Sequence, residues 1–160
     1  MNSSVRNTPV SIRVAVGDDV PSIVSLERAC PTAAHWSEEQ YQDLFSSVES
    51  VSPRLCLIAK SASATVVGFL IARHIAPEWE LENLVVSPAA RRKSIGIELL
   101  LALLSQARQT NSEAVFLEVR ESNTTARRLY ENARFQQQGR RKSYYSNPME
   151  DAILYRRDLH

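Results

Sequence analysis

Two rhythms of apolar and polar residues run along the chain. Residues 10–16 alternate, with Val10, Ile12, Val14 and Val16 on one side of a segment that Gly17 ends, and this predicts a first strand. Asp18 or Asp19 then opens a helix reaching about Arg28. Its apolar side carries Val20, Ile23, Val24 and Leu26, and Pro31 stops it. Ser37-Glu38-Glu39-Gln40 has the spacing of a capping box, in which serine and glutamine satisfy each other's backbone N–H, and it leads into Tyr41, Leu44 and Phe45. Strands are predicted over 54–60 and 65–74, joined by Ser61-Ala62-Ser63-Ala64, and over 80–86, ended by Ser87-Pro88. Residues 95–108 are apolar on nearly every side, as in a helix lying between a sheet and a neighbour. A strand over 114–120, a short helix over 123–133 and strands over 135–142 and 152–156 complete the series.

This mixture predicts one mixed α/β domain over 10–160, without repeats or linkers, after a polar, flexible arm over 1–9. The 160 residues are enough for a real core, and 44% hydrophobic with 23% charged residues is an ordinary globular composition. Disordered, collagen-like and disulfide-scaffold classes are excluded. The longest apolar run, 95–104, contains Glu98 and falls far short of the roughly 20 residues that span a bilayer. The polar start lacks a signal peptide's apolar stretch, so no membrane partner is expected. Cys30 and Cys56 stand outside any metal-ligand spacing and read as free thiols of a reducing cytoplasm, with no metal expected.

A net charge of +1 conceals a division at Ala90. Residues 1–90 hold 6 Lys/Arg against 10 Asp/Glu, net −4, whereas residues 91–160 hold 13 against 8, net +5. Such polarity points to a charged partner for each part. Glu38, Glu39, Asp43, Glu78, Glu80 and Glu82 would border the approach of a cationic partner, such as an amine or a basic peptide.

Three places carry candidate chemistry. Residues 84–97 run from a strand through Pro88 and a basic turn, Arg91-Arg92-Lys93-Ser94, into a helix. Unpaired N–H groups and the positive helix end there suit a phosphate or pyrophosphate, although a basic helix start is also an ordinary solvated face. It is neither a phosphate-cradling Walker loop nor a dinucleotide fingerprint, because only Gly96 is present. Glu118 lies in the apolar strand Val115-Phe116-Leu117-Glu118-Val119, where a carboxylate must be paired, protonated or functional. Asn123 is a good helix N-cap, and Tyr130, two turns on, falls on the same face. Cap and core tyrosine is the plain reading of that pair, and two contacts to one ligand is the functional one.

Order and spacing of these places resemble the GNAT superfamily of acetyl-CoA-dependent N-acetyltransferases, most closely the bacterial ribosomal-protein-alanine N-acetyltransferases. Residues 83–100 are similar to the family's coenzyme motif, [Q/R]-x-x-G-x-[G/A], with Arg91 and Gly96 at its ends. Leu117-Glu118-Val119-Arg120-Glu121-Ser122-Asn123, Leu129-Tyr130-Glu131, Tyr144-Tyr145 and Glu150-Asp151-Ala152 resemble segments of that subgroup, and a weaker likeness includes His35-Trp36-Ser37-Glu38. Ser94 stands where the family usually has the first glycine of the turn, and Arg134 where it has a glycine after the short helix.

The resemblance implies a mostly antiparallel central sheet of about six to seven strands flanked by about four helices. It implies that Leu84, Val85 and Val86 offer backbone groups to the acetyl and pantetheine portion of acetyl-CoA. Arg91, Arg92, Lys93, Ser94, Ile95, Gly96 and Ile97 would hold the pyrophosphate, and Asn123 the pantetheine arm. Glu118 resembles the proton acceptor and Tyr130 the proton donor. Tyr144 and Tyr145 would wall the acceptor groove. The implied reaction acetylates an amine, foremost a protein N-terminal α-amine. Acetylation of lysine or a small amine, and a non-catalytic acyl-CoA-binding module, are the alternatives. Arg140-Arg141-Lys142 beside two tyrosines raises nucleic acid as a partner, but so short a cluster is ordinarily a solvated strand end. The oligomeric state stays open between monomer and homodimer.

Overall fold

The computed structural model describes residues 10–46, 53–91 and 94–160. The arm over 1–9 and the cations Arg92 and Lys93 lie outside the described residues. Seven strands form one sheet: β1 (Ser11–Val14), β2 (Arg54–Lys60), β3 (Val66–Ile75), β4 (Glu78–Val86), β5 (Ala114–Arg120), β6 (Gln136–Tyr145) and β7 (Glu150–Asp158). Their order is β1-β2-β3-β4-β5-β7-β6, and every neighbouring pair is antiparallel except β4 with β5. Four helices join them: α1 (Val20–Arg28), α2 (Glu38–Asp43), α3 (Ile95–Gln109) and α4 (Thr124–Asn132). The parallel pair requires a crossover, and α3 supplies it. This is the mixed, mostly antiparallel α/β domain expected from the sequence, with seven strands and four helices among the described residues.

Each face of the sheet has its own core. α3 and α4 cover one, packing Ile95, Leu99, Leu103 and Tyr130 onto Leu70, Leu81, Leu117, Val119, Ile153 and Tyr155. α1 and α2 cover the other face over β2, β3 and the end of β4, where Ile23, Val24 and Tyr41 meet Ile58, Phe69, Ile71 and Val85. Helix ends follow local chemistry. Ser37 Oγ accepts from the Gln40 N–H at 3.2 Å while Gln40 Oε1 accepts from the Ser37 N–H at 2.8 Å, the predicted capping box. Asp19 precedes α1 as predicted but does not cap it. Its carboxylate takes the Val16 N–H and two Arg13 N–H groups, tying a single 3₁₀ turn (Gly17–Asp19) to β1.

β4 contains the irregularity that shapes the molecule. Ile71 of β3 lies opposite Asn83 and Ala72 opposite Leu81, so Glu82 is an extra residue, a β-bulge. Before it, Trp79 and Leu81 face α3; after it, Asn83 and Val85 face α1 and α2. The parallel ladder with β5 runs from Glu78↔Ala114 to Leu81↔Leu117 and ends immediately before the bulge. Beyond that point β4 and β5 part, leaving a cleft between residues 82–86 and 118–120.

Candidate active site

The cleft has a polar backbone edge. Hydrogen-bond direction alternates along an antiparallel strand. Ser87 donates its N–H to the Val67 carbonyl of the β3 segment at 2.8 Å, so Val85 bonds toward β3, whereas Leu84 and Val86 turn their amides toward the cleft. Of the three residues singled out in this strand, Leu84 and Val86 therefore turn their N–H groups toward the cleft and Val85 supplies packing.

The start of α3 stands at the cleft mouth. A Cβ built on Gly96 would lie 3.7 Å from Val86 Cγ2 and 3.2 Å from Leu129 Cδ2, which places the first turn of α3 between the end of β4 and α4. The first intrahelical bond runs from the Glu98 N–H to the Ser94 carbonyl. The N–H groups of Ile95, Gly96 and Ile97 therefore have no partner inside the helix and, with the helix dipole, form an anion-attracting end. Ser94, with φ of 61°, takes the left-handed conformation that the glycine of the motif would take, and its side chain makes no cap bond. Arg91 reaches back to Cys30 Sγ at 3.9 Å.

Glu118 occupies β5 on the face opposite α3 and α4, where among the described residues no helix covers β5, β6 and β7. Its carboxylate pairs with Arg141 of β6 at 3.0 Å, and its proximity raises the pKa of the Tyr144 hydroxyl. The carboxylate is thus paired with an arginine, though not with its near neighbour Arg120. Arg120 instead pairs with Glu150 and donates to the carbonyls of Ser146 and Pro148. Tyr144 and Tyr145 lie on the end of β6 rather than in a loop, past an irregularity in which residues 141–145 span only Ala152 to Glu150 of β7. Ser143, with φ of 51°, turns the strand there, and its N–H bonds Asp151. Arg120 lies over the Tyr145 ring at 4.4 Å, and the two tyrosine rings meet edge to face at 5.0 Å. Burial, then the Glu118 charge, pushes the Tyr145 hydroxyl up to about 12.

Tyr130 and Asn123 perform the plain structural parts. Asn123 Oδ1 caps α4 by accepting the Ala126 N–H at 3.2 Å, which leaves its Nδ2 as a spare donor. Tyr130 is 7% exposed and packs against Phe135 and Tyr155. Burial raises its pKa well above the ordinary range, with the nearby Tyr145 adding to it, so the phenol is protonated across neutral pH. Glu118 and Tyr130 stand on opposite faces of the sheet; the Glu118 charge helps to raise the pKa of Tyr145, and Tyr145 that of Tyr130.

Of the acids expected to border a cationic partner, Glu78 pairs with Arg156, Glu80 with Arg73, and Glu82 with Arg54 and Arg73. Arg140 pairs with Glu121 and Asp151, and Arg141 with Glu118, so most of the basic cluster at 140–142 is used within the molecule. Arg141 is the site residue that composition alone conceals. The signal was its place in a run of cations antiparallel to the strand beside β5.

Residues 20–135 match the family described as the acetyltransferase (GNAT) family. The chain belongs to that family. A [ribosomal protein bS18]-alanine N-acetyltransferase of Haemophilus ducreyi is 37% identical over 92 residues, a stretch covering 56% of this chain and 63% of that relative's length. Among solved GNAT-like structures, the ribosomal-protein-S18-alanine N-acetyltransferase of Escherichia coli superposes with a TM-score of 0.80 at 25% identity, covering 94% of each chain. Arabidopsis thaliana NAA60 in complex with acetyl-CoA superposes at 0.82 with 15% identity, covering 94% of this chain and 98% of that one, a likeness of fold. This family and its named relatives agree with the acyltransferase that the sequence resembles. Among the described residues no helix is long and apolar enough to cross a membrane, and no cluster of His, Cys, Asp or Glu could hold a metal.

Proposed function

We propose that this GNAT chain transfers the acetyl group of acetyl-CoA to a protein N-terminal α-amine. The observation that carries the reading is the parted β4–β5 edge, with the start of α3 at its mouth and Glu118 on the open face. Acetyl-CoA supplies an activated thioester. Leu84 and Val86 would bond its extended amide arm as a neighbouring strand would, and their N–H groups would polarise the thioester carbonyl. The open N–H groups of Ile95, Gly96 and Ile97, with Arg91, Arg92 and Lys93, would hold the pyrophosphate, and Asn123 Nδ2 the arm.

Glu118 takes a proton from the incoming ammonium, directly or through water, and Tyr130 returns one to the departing thiolate. An α-amine with pKa near 8 is roughly two units easier to deprotonate than lysine near 10.4, which suits a carboxylate base. Tyr144 and Tyr145 wall the acceptor groove beside Glu118. The alanine acceptors named for the relatives support the same choice.

The test incubates the protein with acetyl-CoA, peptides beginning with alanine and N-terminally blocked peptides containing lysine, and locates the product acetyl group by mass spectrometry. An acetyl group on the α-nitrogen is expected. Glu118→Gln should lower kcat at least about 100-fold with acetyl-CoA affinity retained. Wild-type rates in both Glu118→Gln and Tyr130→Phe would refute these roles. Acetylated lysine would move the reading to a different acceptor, and binding without thiol release would make the chain a binding module.

A further inference from the structure

A buried polar chain on the acceptor side is not used by the chemistry above. Glu27 of α1 is 2% exposed, and among the described residues its bonded partners include no cation. Its Oε1 accepts the Trp36 N–H at 2.7 Å and the Tyr41 hydroxyl at 2.6 Å. Tyr41, fully buried between Trp36 and Phe69, accepts in turn from Asn83 Nδ2 at 3.0 Å. Asn83 Oδ1 accepts the Ala34 N–H at 3.4 Å. Every donor has one direction: the carboxylate only accepts, so Tyr41 donates to it, and the amide of Asn83 must face Tyr41 with nitrogen and Ala34 with oxygen.

These three side chains thus take two backbone N–H groups of the connection over 29–37 and pin it to β4 one residue past the bulge. A second pin lies at Cys30, whose Sγ meets the Val86 carbonyl at 3.6 Å on the cleft edge. The connection therefore lies along the parted segment of β4, on the same face of the sheet as Glu118.

We propose that Glu27, Tyr41 and Asn83 are positioning residues that fix the 29–37 connection as the second wall of the acceptor site, opposite Tyr144 and Tyr145. This rests on the acetyl-transfer reading. The side chains of all three point away from the groups assigned to the coenzyme and to proton transfer, so their effect falls first on acceptor binding. A polar chain in a dry core is sharply directional, because a member left unsatisfied is costly, and that makes it suited to holding an irregular segment in one arrangement.

Tyr41→Phe keeps the ring and removes the hydroxyl. The expected result is a KM for an N-terminal peptide raised about tenfold, with kcat at saturating peptide and Kd for acetyl-CoA within about twofold of wild type. Hydrogen exchange at the Ala34 and Trp36 amides should quicken in the same variant. Glu27→Gln, whose amide oxygen still accepts both bonds, should keep the wild-type KM, whereas Glu27→Ala should match Tyr41→Phe. Asn83→Ser, also followed by its melting curve, serves if Tyr41→Phe does not fold. An unchanged peptide KM in folded variants, or equal losses in peptide and acetyl-CoA affinity, overturns the proposal. Absence of turnover in the wild-type protein would count against acetyl transfer itself. The exchange measurement then decides on its own whether this chain of bonds holds the connection.

Discussion

Among the described residues seven that are not glycine hold a positive φ, and none of the four glycines does. Arg134 is the informative case. It follows α4 with φ of 66°, its N–H bonds the Glu131 carbonyl and the Phe135 N–H bonds the Tyr130 carbonyl, which is the helix ending that favours glycine. The helix thus ends as the family's usual glycine would have it, with an exposed arginine in the strained position. Arg134→Gly should raise the unfolding free energy by about 1 kcal/mol, measured by urea titration. Ser94→Gly relieves the same strain and removes a β-carbon from the turn at the cleft mouth, so calorimetry should record acetyl-CoA bound roughly threefold tighter. At this scale the sequence was legible where chemistry is local. Asn123 read as a cap because a short amide two bonds from the backbone can do little else there. Asp19 holds the expected position before α1, but its carboxylate is taken by Arg13, which belongs to another element and which local reading does not see.

β4 is where pattern and structure diverge. Trp79, Leu81, Asn83 and Val85 are all buried at alternate positions, which reads as one unbroken buried face, yet the bulge at Glu82 turns the last two to the opposite side. A period of two cannot reveal a bulge when both faces of the strand are covered, because every choice of side finds a core. β3 bears a matching constraint. A Cβ on Gly68 would stand 3.1 Å from the Val85 carbonyl, 3.2 Å from Ile95 Cγ2 and 3.3 Å from Leu99 Cδ1. Gly68→Ala should therefore destabilise the fold by roughly 1–3 kcal/mol through overpacking, read from the denaturation midpoint. Because the crowded atoms belong to α3's first turns, the same variant should bind acetyl-CoA less tightly. The longer helices and the central strands were legible to within a residue or two, and the late strands proved longer than their apolar stretches, since β6 is almost wholly exposed and carries no pattern to read.

At the scale of the molecule, charge is settled locally. The division at Ala90 survives as a count, but arginines of both parts neutralise Glu78, Glu80, Glu82 and Glu118 across the sheet. A single sequence cannot show this, because the partners come from β2, β3, β6 and β7. Ion pairs and backbone hydrogen bonds hold the carboxyls of Asp19, Glu121, Glu150 and Asp151 below their ordinary values of 3.8 for Asp and 4.5 for Glu. A carboxyl depressed by folding contributes stability that is present above its unfolded pKa and lost as pH falls through its folded one. Stability should thus change little for these groups above about pH 5 and decline steadily below pH 4, with Asp19→Asn flattening part of the decline in denaturation curves taken across that range. Fold class and family were legible from order and spacing. The acceptor side was not, because Arg141, Tyr144 and the Glu27 chain meet only in three dimensions.

The parallel ladder of four residue pairs, Glu78↔Ala114 to Leu81↔Leu117, also joins the sheet of β1 to β4 with that of β5, β7 and β6. Mechanically it is a short spine between two leaves. An extended molecule lying along Leu84 and Val86 supplies rungs that the spine lacks, so a bound arm would stiffen the whole sheet as well as occupy it. Heat should then open the empty protein along that seam first.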